Sequence, residues 1–303
     1  MSPKPKPQNT APRRGVRNVF QISWRGWHEI IMRSKQDSKD DNVPIVAAGI
    51  AYYALLSIFP ALTALVSVYG LISNPEEVHS QLQHLQQLMP EEAFEIINQQ
   101  LVGLVRRSGG ALGFNFLISL LFTFWSASRG IKAIIHAFNI AYNEPEKRGI
   151  ISFSLTGMIL TIGLLLFLAL SMLLIVALPA VVQALRLDEQ MAPWVMMLRW
   201  PILLLTVVFG LAIMYRFAPC RAYAKLKWVL PGASIATLFW LIASYLFSFY
   251  VQNFGSYNQV YGSLSAVIIL LLWFFLTAYV VLLGAELNSE IETYCRPDLH
   301  VSD

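Results

Sequence analysis

A chain that performs acid–base or metal chemistry gathers histidines, cysteines and carboxylates at fixed spacings. The five histidines here, His28, His79, His84, His136 and His300, are scattered. Only His79 and His84 share a segment, and their spacing of five fits neither HExxH nor HxH. Cys220 and Cys295 make no CxxC pair and no disulfide framework. There is no GxSxG elbow, no P-loop and no glycine-rich turn opening a helix after a strand. The expectation is a protein without a catalytic centre, metal or cofactor.

Two polar patterns at helical spacing remain. Arg129, Lys132, His136, Asn139 and Asn143 follow one another at steps of 3, 4, 3 and 4, opposite Ile131, Ile134, Ile135, Phe138 and Tyr142. This stripe reads in two ways. It is a boundary arginine followed by an interfacial helix, or a surface for lipid phosphate, which arginine holds bidentately. The second pattern, Tyr53, Ser57, Pro60, Ala64 and Ser67, puts a small, mildly polar face beside a proline expected to kink its helix. Such a face suits either close helix packing or the wall of a polar cavity. Glu286 ends the last apolar run, either as a partner for Arg129 or as an ordinary boundary carboxylate.

The elements that must position these residues follow from composition. Of 303 residues, 56% are apolar and 13% charged, against roughly 25% charged in soluble proteins. No charge occurs between Lys227 and Glu286. A soluble domain could not solvate that stretch, so the chain reads as an all-α integral membrane protein. Spans of about 20 apolar residues are expected near 44–71, 110–128, 150–178, 195–216, 229–251 and 263–285. Arg199 interrupts the fourth, where it can snorkel beside Trp194 and Trp200. All other ionisable groups fall at span ends, so no buried acid–base pair is expected.

Lysine and arginine total 22. Eighteen fall in the N-terminal segment, the 129–149 and 216–227 connections and the C-terminal tail, and four on the opposite side. The positive-inside rule then predicts six spans with both termini cytoplasmic. The net charge of +4 is therefore topological, and no nucleic-acid partner is expected.

The peripheral segments complete the organisation. Residues 1–15 form a basic tail expected to be disordered. Over 16–40, Val16, Phe20, Trp24, Trp27 and Ile31 recur at helical spacing among Arg17, Arg25 and Arg33. That pattern predicts an amphipathic helix lying on the anionic cytoplasmic leaflet. The transmembrane domain spans 41–293, and a short tail, 294–303, follows. The longest outer loop, 73–109, has a Gln- and Glu-rich part, and Leu82, Leu85, Leu88 and then Ile96, Ile97 and Leu101 suggest one or two amphipathic helices that cap the bundle or meet a periplasmic or envelope partner.

Three segments, "AAGIAYYALLSIFPAL" (47–62), "WSASRGIKAIIHAFNIAY" (125–142) and "VYGSLSAVIILLLWFFLTAYVVLLGAELNSE" (260–290), carry a resemblance. Over about 20–293 the chain resembles the YihY/BrkB family of bacterial inner-membrane proteins, once labelled ribonuclease BN. The resemblance implies a six-span cytoplasmic-membrane protein. It also brings the old ribonuclease label, a link to serum resistance as a virulence factor, and a role in envelope lipid transport. The sequence argues against the nuclease, because it lacks a histidine-rich metal motif.

The leading expectation is a non-enzymatic protein that helps envelope lipids, or another amphipathic envelope component, cross or leave the cytoplasmic membrane. Arg129, Lys132, His136, Asn139, Tyr53, Ser57 and Glu286 are the candidate contacts, and Pro60 the candidate kink. The alternatives are a small-molecule or ion permease, and a membrane scaffold recruiting partners through 73–109. Oligomeric state and substrate are left open by the sequence.

Overall fold

Long apolar runs without breakers become long helices, and the computed structural model bears this out. It describes residues 19–72, 111–177, 192–221, 225–254 and 264–295. A 3-10 turn at Val19–Gln21 precedes α1 (Trp24–Asp40), α2 (Val43–Ile72), α3 (Ala111–Ala141) and α4 (Ile150–Met172). A π-helical turn, Leu173–Ala177, extends α4. Then come α5 (Ala192–Phe217), α6 (Leu226–Phe254) and α7 (Ser265–Cys295). The described residues are all-helical, with no strand. The expected basic tail 1–15, the whole of the expected outer loop 73–109, residues 255–263 and the residues after Cys295 lie outside them.

Four of these helices are long and apolar enough to cross a membrane: Ile150–Phe167, Trp194–Phe217, Leu226–Gln252 and Ser265–Cys295. Val43–Ser57 is a shorter apolar stretch. The spanning helices leave many large apolar side chains outward, Leu166, Leu205, Phe209 and Leu246 among them. A surface that apolar requires lipid rather than water around it. Arg199 lies over the Trp200 ring, 5.0 Å from its centroid, as a snorkelling cation beside an aromatic does.

One boundary expectation changes, at Glu286. α3 runs as one helix to Ala141, carrying the stripe headed by Arg129 past the expected span. It ends in a Schellman motif: Asn143 takes the left-handed conformation (φ 54°), its N–H donates to Ile140 O (2.9 Å), and that of Glu144 to Asn139 O (2.8 Å). The last helix runs on to Cys295, so Glu286 lies well inside α7 and is fully buried rather than at a boundary. At Pro60, α2 continues without interruption; the side chains from Ile58 onward in this helix lie outside the described residues.

The chain divides into two compact units. The first comprises Met1–Ala47, Ile131–Ser244 and Thr277–Asp303. Its core gathers Ile22, Ile30, Trp228, Leu287 and Ile291, flanked by Trp27, Ile235 and Tyr294. Ser23 caps α1, its hydroxyl accepting from Gly26 N (3.2 Å). The buried stripe of α1 is Gly26, Ile30, Ser34 and Ser38, while Trp24 and Ile31 face outward. The expected apolar stripe is thus split. Gly26 sits so close to Tyr294 that a Cβ there would meet its Oη at 2.7 Å, so the packed face is made by small residues around Ile30.

Small residues also set the approach of α5, α6 and α7 in this unit. A Cβ on Gly284 would lie 2.4 Å from Tyr215 Oη and 2.7 Å from Ala236 Cβ. The Tyr215 hydroxyl donates to Val281 O at 2.7 Å. Pro231 interrupts the α6 ladder, and the Asn288 amide fills in beside it. It accepts from Gly232 N (2.9 Å) and donates to Val229 O (3.1 Å).

The second unit comprises Ala48–Gly130 and Tyr245–Leu276. Within it α2 meets α3 where Gly130 faces Tyr53, a Cβ on the glycine lying an ordinary 3.6 Å from Tyr53 Cβ.

Candidate functional site

The predicted stripe divides when its side chains are followed. Arg129 is exposed and stacks over Trp125, 4.9 Å from the ring centroid. In the first unit, Lys132 and His136 turn toward the start of α4. Lys132 Nζ donates to Ser154 Oγ (3.2 Å), its stem lying across Gly157. The His136 ring sits 5.1 Å from that of Phe153. Asn139 is buried. Tyr53 and Ser57, in the second unit, are half-buried, and the Ser57 hydroxyl donates back to Ala54 O (2.8 Å). That bond closes Ser57 within its own helix.

Asn139 ties two loops together. Its Nδ2 donates to Glu146 Oε2 (2.7 Å), in the connection from α3 to α4. Its Oδ1 accepts from Cys220 N (2.7 Å), in the segment after α5. Arg148 completes the clasp: Nε and Nη2 fork onto the two Glu146 oxygens at 2.7 Å each, and Nη2 also donates to Ala218 O (3.0 Å). A bidentate fork is the strong form of this pair. Burial alone would raise the Glu146 carboxyl, but the bonds from Arg148 and Asn139 win and hold it at about 2. Arg148 is raised in turn, chiefly by its bond to Glu146.

A second pair lies deeper. Arg221 is bonded to Glu292, with side chains only 10% and 7% exposed. Its guanidinium carbon lies 3.8 Å from the centroid of the Tyr142 ring. Burial raises the Tyr142 hydroxyl far above its ordinary range, partly opposed by Arg221. Glu286, Glu290 and Glu292 are all buried on α7. Arg221 and Glu292 both lie outside the expected spans, where nothing in the sequence signals a buried pair. Continuation of α7 past its apolar run carries these carboxylates into the packed end of the unit. Among the described residues no three His, Cys, Asp or Glu side chains gather as a metal site.

Both clasps border one groove of about 1060 Å³. One part is lined by Glu144, Lys147, Arg148, Cys220, Arg221 and Glu292. The other is lined by Ile159, Leu160 and Gly163 of α4 and Ile213 and Phe217 of α5. These two helices are among those apolar enough to span a membrane. The lining is therefore charged at the loop residues, polar at Ser152, Thr156 and Ser289, and apolar farther along α4 and α5. An amphiphile matches that division; a small polar metabolite does not.

Sequence reasoning missed this groove. The run Glu146-Lys147-Arg148 was legible as charge, yet charge at a span end reads first as topology. Arg221 and Glu292 are 71 residues apart, and no local signal joins them. Of the expected contacts, only Asn139 belongs to the framework of the groove, and it acts by holding Glu146 and Cys220 in place.

Comparison with known proteins agrees with this architecture. A family model described as "Virulence factor BrkB" matches residues 35–300. A Bacillus subtilis protein named "putative ribonuclease-like protein YfkH" is 33% identical over 255 residues, 80% of this chain and 88% of that one. A UPF0761 membrane protein of Idiomarina loihiensis is 26% identical over 288 residues, 90% of this chain and 96% of its own. One from Vibrio campbellii is 30% identical over 262 residues, 83% and 78% of the two chains. No solved structure matches. With its helices, its apolar outer surface and a family match over most of its length, the chain belongs to the BrkB family of membrane proteins.

Proposed function

We propose that this chain is a non-enzymatic inner-membrane protein that helps an envelope lipid, or a similar amphiphile, cross or leave the cytoplasmic membrane. The groove carries this reading, because its charged part and apolar part are arranged as a lipid headgroup and acyl chain are. The lysine and arginine asymmetry supports six spans with both termini cytoplasmic. The outward Trp24, Ile31 and Met32 of α1, beside Arg25 and Lys35, support an interfacial helix on an anionic leaflet. The ribonuclease wording stays with the Bacillus relative that bears it.

Gly163 supplies the test. It lines the groove, and a Cβ there meets nothing within 4 Å, so Gly163→Phe narrows the groove without a clash at its Cβ. Proteoliposomes containing the full chain and a fluorescent phospholipid should move that lipid between leaflets faster than empty vesicles, and Gly163→Phe should slow them. Movement no faster than empty vesicles contradicts the reading.

The buried carboxylates favour a second reading. Ionisable groups in a membrane domain mark ion pathways, and Glu286, Glu290 and Glu292 are buried on α7 just past its apolar run. A permease would show solute uptake that depends on an ion gradient and is lost in Glu286→Gln.

A further inference from the structure

The charges bordering the groove are not equivalent. Arg148 is occupied by the Glu146 fork, and Arg221 by Glu292 and the Tyr142 ring. Lys147 and Glu144 are different. Among the described residues neither side chain has an ion pair or hydrogen bond, although both backbones are held: Lys147 N donates to Cys220 Sγ (3.3 Å) and Glu144 N to Asn139 O (2.8 Å). One uncommitted cation and one uncommitted anion thus stand on fixed backbone at the charged part of the groove, beside an apolar wall.

We infer that the groove selects a zwitterionic phospholipid whose headgroup carries a phosphate and a primary ammonium, Lys147 taking the phosphate and Glu144 the ammonium. This inference rests on the lipid reading above and sharpens it. A purely anionic headgroup satisfies Lys147 but meets the Glu144 carboxylate without a counter-charge, and such a mismatch is how a site rejects the wrong partner. A cationic amphiphile meets the reverse penalty at Lys147. A soluble headgroup without tails leaves Ile159, Leu160 and Ile213 uncovered, and with them the apolar contribution to binding.

Native mass spectrometry of the delipidated full chain in detergent tests this with three probes: phosphatidylethanolamine, phosphatidylglycerol and water-soluble glycerophosphoethanolamine. Phosphatidylethanolamine should bind roughly fivefold more tightly than phosphatidylglycerol, the worth of one partly exposed ion pair. Glu144→Gln should abolish that preference, Glu144→Lys should reverse it, and Lys147→Gln should weaken both lipids. Glycerophosphoethanolamine should not compete. Equal binding of the two lipids by the wild type, or a preference unchanged by Glu144→Gln, overturns the headgroup assignment and leaves the lipid reading standing. Loss of all lipid binding to the groove, judged by no difference between wild type and Gly163→Phe, overturns both. Competition by glycerophosphoethanolamine overturns the choice of a lipid as occupant.

Discussion

The guanidinium of Arg221 is held between the face of Tyr142, 3.8 Å from its ring centroid, and the carboxylate of Glu292. This one side chain joins the end of α3, the segment after α5 and the end of α7. Removing one member of a buried pair strands the other charge, which costs roughly 3–5 kcal/mol. Arg221→Met should therefore lower the unfolding midpoint of the detergent-solubilised protein sharply. The double change Arg221→Met with Glu292→Met should recover much of the loss. Equal destabilisation in the single and double variants would show that the pair is not the source.

The glycines at the helix crossings should separate into two classes. Gly232→Ala and Gly284→Ala push a Cβ to 2.4 Å from Asn288 and Tyr215 respectively, and overpacking of this kind costs about 1–3 kcal/mol. Gly163→Ala and Gly49→Ala meet nothing within 4 Å and should be neutral or slightly stabilising. Thermal midpoints of the four variants, measured in one detergent, check the division.

Glu146 gives a pH dependence with a definite sign. Its carboxyl falls from 4.5 when unfolded to about 2 when folded, so the folded state favours the ionised form. The stabilisation is fully present above about pH 4.5 and is lost as pH falls toward 2. Unfolding midpoints measured across that window should fall with pH in the wild type. They should fall less in Glu146→Gln, which has no carboxyl to protonate. Parallel profiles would exclude the Arg148–Asn139 clasp as a contributor.

Cys220 borders the groove and is half-buried, so its thiol reports occupancy. In a Cys295→Ser background, maleimide labelling of Cys220 should slow when phosphatidylethanolamine is added to the delipidated protein. An unchanged rate would mean that the lipid sits elsewhere.

Helix positions were legible in the sequence because each depends on a continuous apolar run, a signal that survives without tertiary information. The ends were less so. Past Ser128 and Ala285 the side chains turn polar, and polarity alone does not distinguish a chain leaving the membrane from a helix continuing into a packed end. The periodicity of Arg129, Lys132, His136 and Asn139 carried no information on what surrounds each side chain, and Arg129 is exposed where Asn139 is buried. Phe153 draws His136 and Lys132 toward α4, with Lys132 Nζ 5.9 Å from its ring centroid, and the loops around Glu146 and Cys220 enclose Asn139. The groove is assembled from residues of α4, α5 and α7 and of the segments after α3 and α5, far apart in sequence, so no local pattern announces it.

Occupation of the groove between α4 and α5 by a phospholipid is the claim on which the rest depends. Photo-cross-linking the full chain in native-like vesicles, with a phosphatidylethanolamine bearing a photoactivatable acyl chain, tests it most directly. Adducts are expected on Ile159, Leu160, Ile213 or Phe217, and they should disappear in Gly163→Phe while the variant stays folded. Adducts spread evenly over the outward faces of the spanning helices, and unchanged by Gly163→Phe, would contradict it.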